Sequence, residues 1–522
     1  MKKTPKNNKI KNTPEPTNLP VVFKFEIPKE IRAVTTALEK AGFEAYLVGG
    51  CVRDLILGKT PKDWDVTTNA IPEQIITLFP KTFYENNYGT VGVVNEETKT
   101  VTESTKEASM QVDETLKVVE VTPYRFEANY SDNRHPDSVT FSKNLKDDLQ
   151  RRDFTINAIA LDSKGEVVDP YGGLKDILAK TIRTVGAPEE RFQEDGLRIM
   201  RAVRFYAELS FKIESSTEEA IKKMAHILDK IAKERIRDEF VKIILSDTPA
   251  LGIEMAQKLG ILKYIVPELE QALGIGQNQA HSFDVWTHLM KTLQHSADKK
   301  WPLHIRLSAL FHDIGKPKTR RRDAVKNDWT FYGHEVVGAR MTEKIMRDLR
   351  FPKDLSETVT KLVRWHMFFS DTEQITLSAV RRLISKVGKE NVWDLMNLRV
   401  CDRIGTGRPK ENPYRLRKYK SMVEEVMRDP VSVGMLAIDG KGIMESAKIP
   451  AGPKIGHILH ALLEEVLEDP KLNTLEYLSE KARELAKLSE IELKKIGDEG
   501  KQKKELEDEK VLKEIRGKYH VK

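Results

Sequence analysis

Short apolar runs separated by polar connections mark the first third of the chain, with EAYLVGG, DWDVTT, GTVGVV, KVVEVTPY and INAIAL recurring between Phe23 and Ala160. Runs of that length read as strands, and one or two longer stretches between them as helices, so this part is predicted to form a small mixed sheet with helical cover. After Asp169 the period changes. EDGLRIMRAVRFYAEL, STEEAIKKMAHILDKIA, RIRDEFVKIIL, VWTHLMKTLQHS, RLSALFHDIG, GHEVVGARMTEKIMRDL and HILHALLEEVLED place apolar residues three and four apart, as helices burying one stripe do. The pattern predicts an α+β multidomain chain, a mixed-sheet head followed by an all-helical neck, body and tail. Segment 95–117 is Thr- and Glu-rich and reads as a long exposed hairpin loop or an insertion. Boundaries follow from these shifts: a disordered arm over 1–22, the head over 23–168, helical segments over 169–275, 276–405 and 406–488, and a charged tail over 489–522.

Composition narrows the class. At 522 residues the chain exceeds what one core covers, so two to four units are expected. The 87 basic and 80 acidic residues leave a net charge of +7, which permits nucleic-acid binding without demanding it. Cys51 and Cys401 are too few for a disulfide framework and too far apart for a zinc knuckle, so a reducing, cytoplasmic setting fits best. No apolar run approaches the roughly 18 residues of a membrane span. The opening MKKTPKNNKIKNTPEPTNLP has no apolar core of a signal peptide after it, and no membrane association is expected.

The stretch LVGGCVRDLILGKTPKDWDV carries the first candidate chemistry. In a strand, residues two apart share a face, so Asp63 and Asp65 are predicted to project together while Trp64 turns into the core. Paired carboxylates hold hard cations; Mg2+ takes a few carboxylates plus substrate phosphates, and two such ions activate a hydroxyl and neutralise a leaving pyrophosphate. That is the chemistry of nucleotidyl transfer. Gly49 and Gly50 end a strand and precede a helix, which lets backbone amides approach a triphosphate, and Arg53 offers it a fork of donors. Each fragment alone also reads as a tight turn or a solvated strand end; together they are more specific. Glu120 in VVEVTPYR is the candidate third carboxylate, its alternative being an exposed residue on the polar face of a strand. In EDGLRIMRAVRF, Asp195 and Arg198 are three apart and so would share a helix face. A carboxylate accepts from an exocyclic amine and a guanidinium donates to a ring nitrogen, which suits cytosine and adenine and rejects uracil and guanine. Without other context such a pair is a surface salt bridge.

LVGGCVRDLILGKTPKDWDV, VVEVTPYR, RRDFTINAIA, DPYGGLKDI and EDGLRIMRAVRF, in this order, resemble the eubacterial and eukaryotic class of tRNA nucleotidyltransferases, the CCA-adding enzymes, and the related bacterial poly(A) polymerases. The likeness spans roughly residues 25–275, and a downstream HD domain extends it to about 405. The insertion at 95–117 departs from the family, whose members turn tightly there. The resemblance implies a nucleotidyltransferase head that adds C, C and A to tRNA 3′ ends from CTP and ATP. Its alternatives are poly(A) or A-only addition, and an HD phosphohydrolase with a vestigial head. By the same similarity, Arg152, Asp153 and Asn157 would contact the ribose and phosphates of the incoming nucleotide. Arg125, Tyr130, Asp132 and Arg134 would lie on the flexible loop associated with adding the terminal adenosine.

Further along, His288, His312, Asp313, His334, His366 and Asp402 recur in the order seen in HD-type metal phosphohydrolases, HDIGKP being the most diagnostic fragment. Imidazole with carboxylate suits a divalent transition metal that activates water. A single histidine on such helices is more often packed or solvent-facing, and the site reads either as a metal centre or as a structural remnant. In the family this domain is associated with phosphatase and cyclic phosphodiesterase activity. Arg320 to Arg322 and Arg415 to Lys420 are basic runs that could grip a tRNA backbone, and 452–474 resembles the family's region for the tRNA elbow. The oligomeric state is not legible.

Overall fold

The computed structural model describes residues 25–84, 89–95, 116–128, 138–278, 282–325, 327–368 and 375–493. The chain divides into two compact units, Met1–Ile231 and Ala232–Lys522. The arm 1–22, most of the insertion and the chain from 494 onward lie outside the described residues.

The first unit opens with α1 (Lys29–Lys40), which buries Ile31, Val34 and Leu38, a three- and four-residue stripe. There follow β1 (Ala45–Val48), α2 (Gly50–Ile56), β2 (Asp65–Thr68), α3 (Pro72–Leu78), β3 (Thr82–Tyr84), β4 (Val91–Val94) and β5 (Val118–Pro123). A hairpin of β6 (Arg125–Ala128) and β7 (Ser138–Phe141), α4 (Leu145–Gln150), and the short strands β8 (Ala160–Leu161) and β9 (Val167–Val168) complete the head. Seven strands form one sheet in the order β3-β4-β5-β2-β1-β8-β9. Only β2 and β5 run parallel, so the sheet is mixed, as expected.

The insertion leaves this sheet intact. Strands β4 and β5, which flank it, pair antiparallel with Val94 opposite Val118. Just beyond, the Asn95 N–H donates to the Lys117 carbonyl at 2.9 Å and its side-chain amide to the Leu116 carbonyl at 2.9 Å. The two ends are thereby closed together before the extra residues begin, and pairing on either side is undisturbed. Along β5, Val119 and Val121 are buried while Glu120 is exposed, the alternation of a half-covered sheet.

Beyond the head come α5 (Gly173–Leu178), α6 (Pro188–Glu194) and α7 (Leu197–Leu209), then helical turns to Lys230. The second unit runs from the helix Lys233–Leu245 to the helix Leu475–Leu485, with one apolar cluster around Val380, Leu395, Cys401 and Tyr419 and another around Ile443, Leu462 and Leu478. The all-helical expectation for this part needs two small corrections. Thr181–Ile182 pairs parallel with Lys212–Ile213, and Arg321–Asp323 pairs antiparallel with Asp328–Thr330. The second is a hairpin whose turn uses Asn327 at φ 47°, a conformation that asparagine tolerates better than most residues. No helix among the described residues is long and apolar enough to cross a membrane.

Candidate functional site

Asp65 opens β2, and its parallel neighbour on β5 is Glu120 in direct register. Partners in register project from the same face, so the insertion does not displace the candidate third carboxylate. Trp64, 4% exposed, is buried as anticipated and anchors the strand's entry. Asp63 requires a correction: it lies in a bend before the strand, not within it, and is exposed. Strand alternation therefore does not relate it to Asp65. The two are nonetheless coupled. Burial raises the Asp65 carboxyl above its ordinary range; Arg152 opposes this, and the charge of Asp63 adds to the rise. A carboxylate held against both burial and a like charge is one that a cation would stabilise.

The glycine turn backs this acid. Gly49 has φ 81°, left-handed, and a Cβ built on it would lie 3.0 Å from Arg152 Nη1 and 3.4 Å from Asp65 Oδ2. Glycine is thus needed both for the turn and for the close approach of backbone to acid. Behind them the thiol of Cys51 donates to the Val48 carbonyl at 3.2 Å and to the Asp65 carbonyl at 3.8 Å.

Arg53 does not extend its fork outward, contrary to the expectation that it holds triphosphate. It is buried, donating through Nε and Nη2 to Asp54 Oδ1 at 2.9 and 2.7 Å and through Nη1 to Asn157 Oδ1 at 2.8 Å, with its Cζ 5.2 Å from the centre of the Phe205 ring. The Asn157 amide continues this chain to Asp153 Oδ1 at 3.1 Å, an oxygen that also accepts from the Phe154 N–H at 2.7 Å. Arg201 donates to Asp153 Oδ2 through Nε and Nη2, both at 2.6 Å. Four donors thus converge on one buried carboxylate, which makes Asp153 a hub of the fold. Arg152 is anchored by Asp148 Oδ2 at 3.0 Å, and Asp148 also takes Arg151 at 2.6 Å. Neither Arg201 nor Asp148 was singled out by sequence reasoning; the acid–base spacing of 151–153 to 148 was the available signal.

The Asp153 network has a consequence for acid stability. Burial alone would raise its carboxyl, but Arg201, Asn157, Arg198 and the Phe154 N–H outweigh it and bring the pKa from 3.8 to about 2. A carboxylate depressed in the fold stabilises it above its unfolded pKa, and this contribution is lost as pH falls from about 4 through about 2. Asp153→Asn should therefore cost about 2 kcal/mol at pH 7, with the deficit against wild type shrinking between pH 4 and pH 2. Urea unfolding at several pH values reads this, and parallel stability curves for the two proteins would refute it.

Asp195 also needs correction. It stands between α6 and α7, not on a helix with Arg198, and its Oδ1 accepts from the Leu197 N–H at 3.0 Å. The break falls at Asp195 itself, whose backbone is extended at φ −140° and ψ 105°, and a Cβ on the following Gly196 would clash with Ile227 Cγ2 at 2.5 Å, so packing keeps a glycine there. Arg198 is buried, donating to Glu194 Oε2 at 2.6 Å and to the carbonyls of Arg191 and Arg151 at 3.1 and 2.8 Å. Arg125 belongs to the β6–β7 hairpin, whereas Tyr130, Asp132 and Arg134 lie outside the described residues.

In the second unit the six predicted side chains do meet. His288 comes from the helix Val285–Asp298, His312 and Asp313 from the end of Leu303–Phe311, His334 from the start of His334–Asp348, His366 from the end of Lys353–Trp365 and Asp402 from Val392–Gly405. They form two groups able to hold a metal ion, His288/His312/Asp402 and Asp313/His334/His366, each with ligand atoms within 4.8 Å of one another. Asp313 links them. Its Oδ2 lies 3.1 Å from His288 Nε2 and 3.3 Å from His312 Nε2, and its Oδ1 lies 3.2 Å from His334 Nε2 and 3.6 Å from His366 Nε2. In His312, His334 and His366, Nδ1 faces the carbonyl three residues earlier at 2.7–2.9 Å, an arrangement that leaves Nε2 as the lone-pair nitrogen aimed inward. The Nε2 atoms of His334 and His366 are buried without a hydrogen-bond partner, which fits a site built for cations. Buried Lys316 adds an ammonium 2.6 Å from Asp313 Oδ2, and Asp402 pairs with Arg399 at 2.7 Å. The head acids form no such three-donor group among the described residues. A cation there would be completed by ligands that arrive with the substrate.

Three family models match the chain: the Poly A polymerase head domain over 45–183, the "Probable RNA and SrmB- binding site of polymerase A" over 210–273 and the HD domain over 279–399. With the mixed sheet and its acidic edge, these define the class as a chain with a poly(A) polymerase-type head followed by a helical HD-bearing region. The CCA-adding enzyme of Lactiplantibacillus plantarum is 31% identical over 474 residues, 90% of this chain and 98% of that protein. On that relationship the chain belongs to the family of CCA-adding enzymes. The Ligilactobacillus salivarius and Leuconostoc mesenteroides enzymes are 45% and 40% identical over shorter stretches, in which the chain spans 55% and 66% of their lengths. Among solved structures, the Bacillus stearothermophilus CCA-adding enzyme in complex with CTP superposes with a TM-score of 0.65 at 27% identity, covering 88% of this chain and 98% of that one.

Proposed function

We propose that this chain is a cytoplasmic enzyme that restores tRNA 3′ ends, adding C, C and then A from CTP and ATP with release of pyrophosphate. The observation that carries the reading is the acidic edge: Asp65 beside Glu120 in register, its carboxylate approached by the backbone at Gly49. Family membership and the CTP complex of the B. stearothermophilus relative support it. Asp63 and Asp65, with Glu120, would hold Mg2+, which when bound neutralises triphosphate charge and lowers the pKa of the attacking 3′ hydroxyl. Arg152, held by Asp148 next to Asp65, supplies positive charge beside the acids. Asp195 and Arg198 would read the base edge without a template. The three acceptors on Arg198 hold its guanidinium in one orientation, which sharpens discrimination between donor and acceptor edges. We assign nucleotide chemistry to 23–168, base selection and RNA contact to 169–275, hydrolysis to 276–405 and further tRNA contact to 406–488.

The test is incubation with Mg2+, tRNA lacking its 3′ CCA and each nucleotide in turn, followed by sequencing of the ends. Two C residues and one A, with no U or G, are expected; runs of A or a lone A would overturn the assignment in favour of poly(A) or A-only addition. In the same assay Asp195→Ala should relax base choice more than it slows addition, and unchanged selectivity would remove Asp195 from that role.

A second reading concerns the six-residue centre, and the two donor groups joined by Asp313 favour it. We infer that the centre holds divalent transition-metal ions and hydrolyses phosphate esters, with His288, His312 and Asp402 on one side of Asp313 and His334 and His366 on the other.

A further inference from the structure

The hairpin of Arg321–Asp323 and Asp328–Thr330 is tied at both of its ends to the six-residue centre. Before it, the turn Lys316–Thr319 carries Lys316, whose ammonium lies 2.6 Å from Asp313 Oδ2 and donates to Gln277 Oε1 at 2.6 Å. After it, the Phe331 carbonyl lies 2.7 Å from His334 Nδ1, and the Phe331 ring is 5.6 Å from Lys316 Nζ. The base of the hairpin is therefore a wall of the centre.

Arg320 stands at that base, directly after the turn, with its Nη2 3.6 Å from where a Cβ on Gly276, the neighbour of Gln277, would lie. Its Cζ is 3.7 Å from the middle of the Trp329 ring, a stacking distance for a planar guanidinium. Trp329 pairs across the hairpin with Arg322, whose Nη2 donates to Asn327 Oδ1 at 2.8 Å. Arg320 has no such acceptor. It is half-buried, its Nε is enclosed without a hydrogen-bond partner, and among the described residues no carboxylate pairs with it. Buried donors are nearly always satisfied, so a guanidinium held against an indole and lacking a counter-charge marks a seat for an anion. The hairpin's own acids, Asp323 and Asp328, face each other at its far end.

We propose that Arg320, positioned by Trp329, holds a second phosphate of the substrate while the six-residue centre works on the first, so that the centre acts on polynucleotide ends in preference to free nucleoside monophosphates. The assignment rests on the reading of that centre as a phosphate-ester hydrolase. There, water adds to the terminal phosphorus, the P–O bond to the ribose breaks with its electron pair on the ribose oxygen, that oxygen gains a proton, and inorganic phosphate leaves. Arg320 takes no part in the bond breaking. Contacts through Gly276, Gln277 and Lys316 separate it from Asp313, so it serves a phosphate one unit along the chain. A cation backed by an aromatic ring grips a single-stranded backbone without choosing a base.

The test pairs substrates that differ only in a neighbouring phosphodiester, ApAp with adenosine 3′-phosphate and pApA with adenosine 5′-phosphate, each given to the full chain with Mn2+. Wild type should favour the dinucleotides, and Arg320→Met should raise their KM roughly 10- to 100-fold with kcat within about threefold, which collapses the preference. Trp329→Leu keeps the charge but removes its platform and should lose part of the preference; Trp329→Phe should restore it. Calorimetric titration of both dinucleotides in EDTA, where nothing turns over, gives a readout apart from activity: Arg320→Met should bind them about fivefold more weakly than wild type, or weaker still. Affinity of the head for nucleotides is common to all variants and cancels. Because no ion pair is broken, Arg320→Met strands no partner, and an unshifted thermal melt verifies its fold. Unchanged KM ratios and affinities, beside a wild type that does release phosphate, sink this proposal alone. A wild type that binds no metal and releases phosphate from none of the four substrates sinks the underlying reading with it.

Discussion

Asp65→Asn should abolish nucleotide addition, lowering the rate by about a thousandfold or more, while the protein unfolds at a temperature no lower than wild type. The amide keeps the size of the carboxylate and removes the charge that a cation would use, and a thousandfold loss corresponds to about 4 kcal/mol of transition-state stabilisation. The stability half of the expectation has a separate cause. Burial already disfavours ionised Asp65, and Asp63 adds repulsion, so the charge is maintained at the expense of the fold. Neutralising it relieves that cost. Single-turnover addition of CTP to tRNA lacking CCA, with a thermal melt alongside, reads both effects. Activity within tenfold of wild type, or a melt lowered by several degrees, would remove Asp65 from the centre of the reaction.

Asp313→Ala carries the second large effect, in the other unit. Four histidine nitrogens lie 3.1–3.6 Å from its two oxygens, so its loss takes a ligand from the group with His334 and His366 and the carboxylate that joins it to His288 and His312. Bound metal should fall to background by elemental analysis, and any phosphatase activity with it. Lys316, 5% exposed, would be left with a charge and no carboxylate, and stranding one member of a buried ion pair costs about 3–5 kcal/mol. Adding Lys316→Met should recover part of that stability without restoring metal. Equal metal content in wild type and Asp313→Ala would refute the assignment of a metal centre, and unchanged stability would show that Gln277 Oε1, which already accepts from Lys316 Nζ at 2.6 Å, suffices for the ammonium.

Much of this was legible in the sequence, for reasons that differ from residue to residue. Gly49, Trp64 and Asp65 depend on short-range rules: a left-handed turn, burial of an indole, and strand alternation starting at the next residue. Their placement agrees with expectation. The HD residues lie far apart in the chain, but each lies in or just past the first or last turn of a helix whose apolar stripe is unmistakable, so their convergence follows once the helices pack. Glu120 was obscured by the insertion, and the pairing of β5 with β2 and β4, closed by the hydrogen bonds of Asn95 to 116 and 117, reveals that the register survives. What failed were inferences about direction. Asp63 and Asp195 each sit a residue or two outside the element that spacing assigned them, because the chain bends before β2 and turns extended at Asp195 between α6 and α7. Arg53 turned inward because, besides its neighbour Asp54, Asn157 and Phe205 offer it partners from distant parts of the chain. No window of local sequence contains that choice, and the same holds for the pairing of Arg201 with Asp153.

Cys51 and Cys401 are the chain's only thiols, and both are buried, Cys51 behind Asp65 and Cys401 within an apolar cluster. Burial pushes the Cys51 thiol up to about 12, and that of Cys401 well above its usual value, so neither is nucleophilic at neutral pH. Maleimide dyes should accordingly ignore the native protein. A single cysteine introduced on an exposed loop would then be the one group to take a fluorophore, giving a clean optical reporter of nucleotide and RNA binding without first deleting any natural residue.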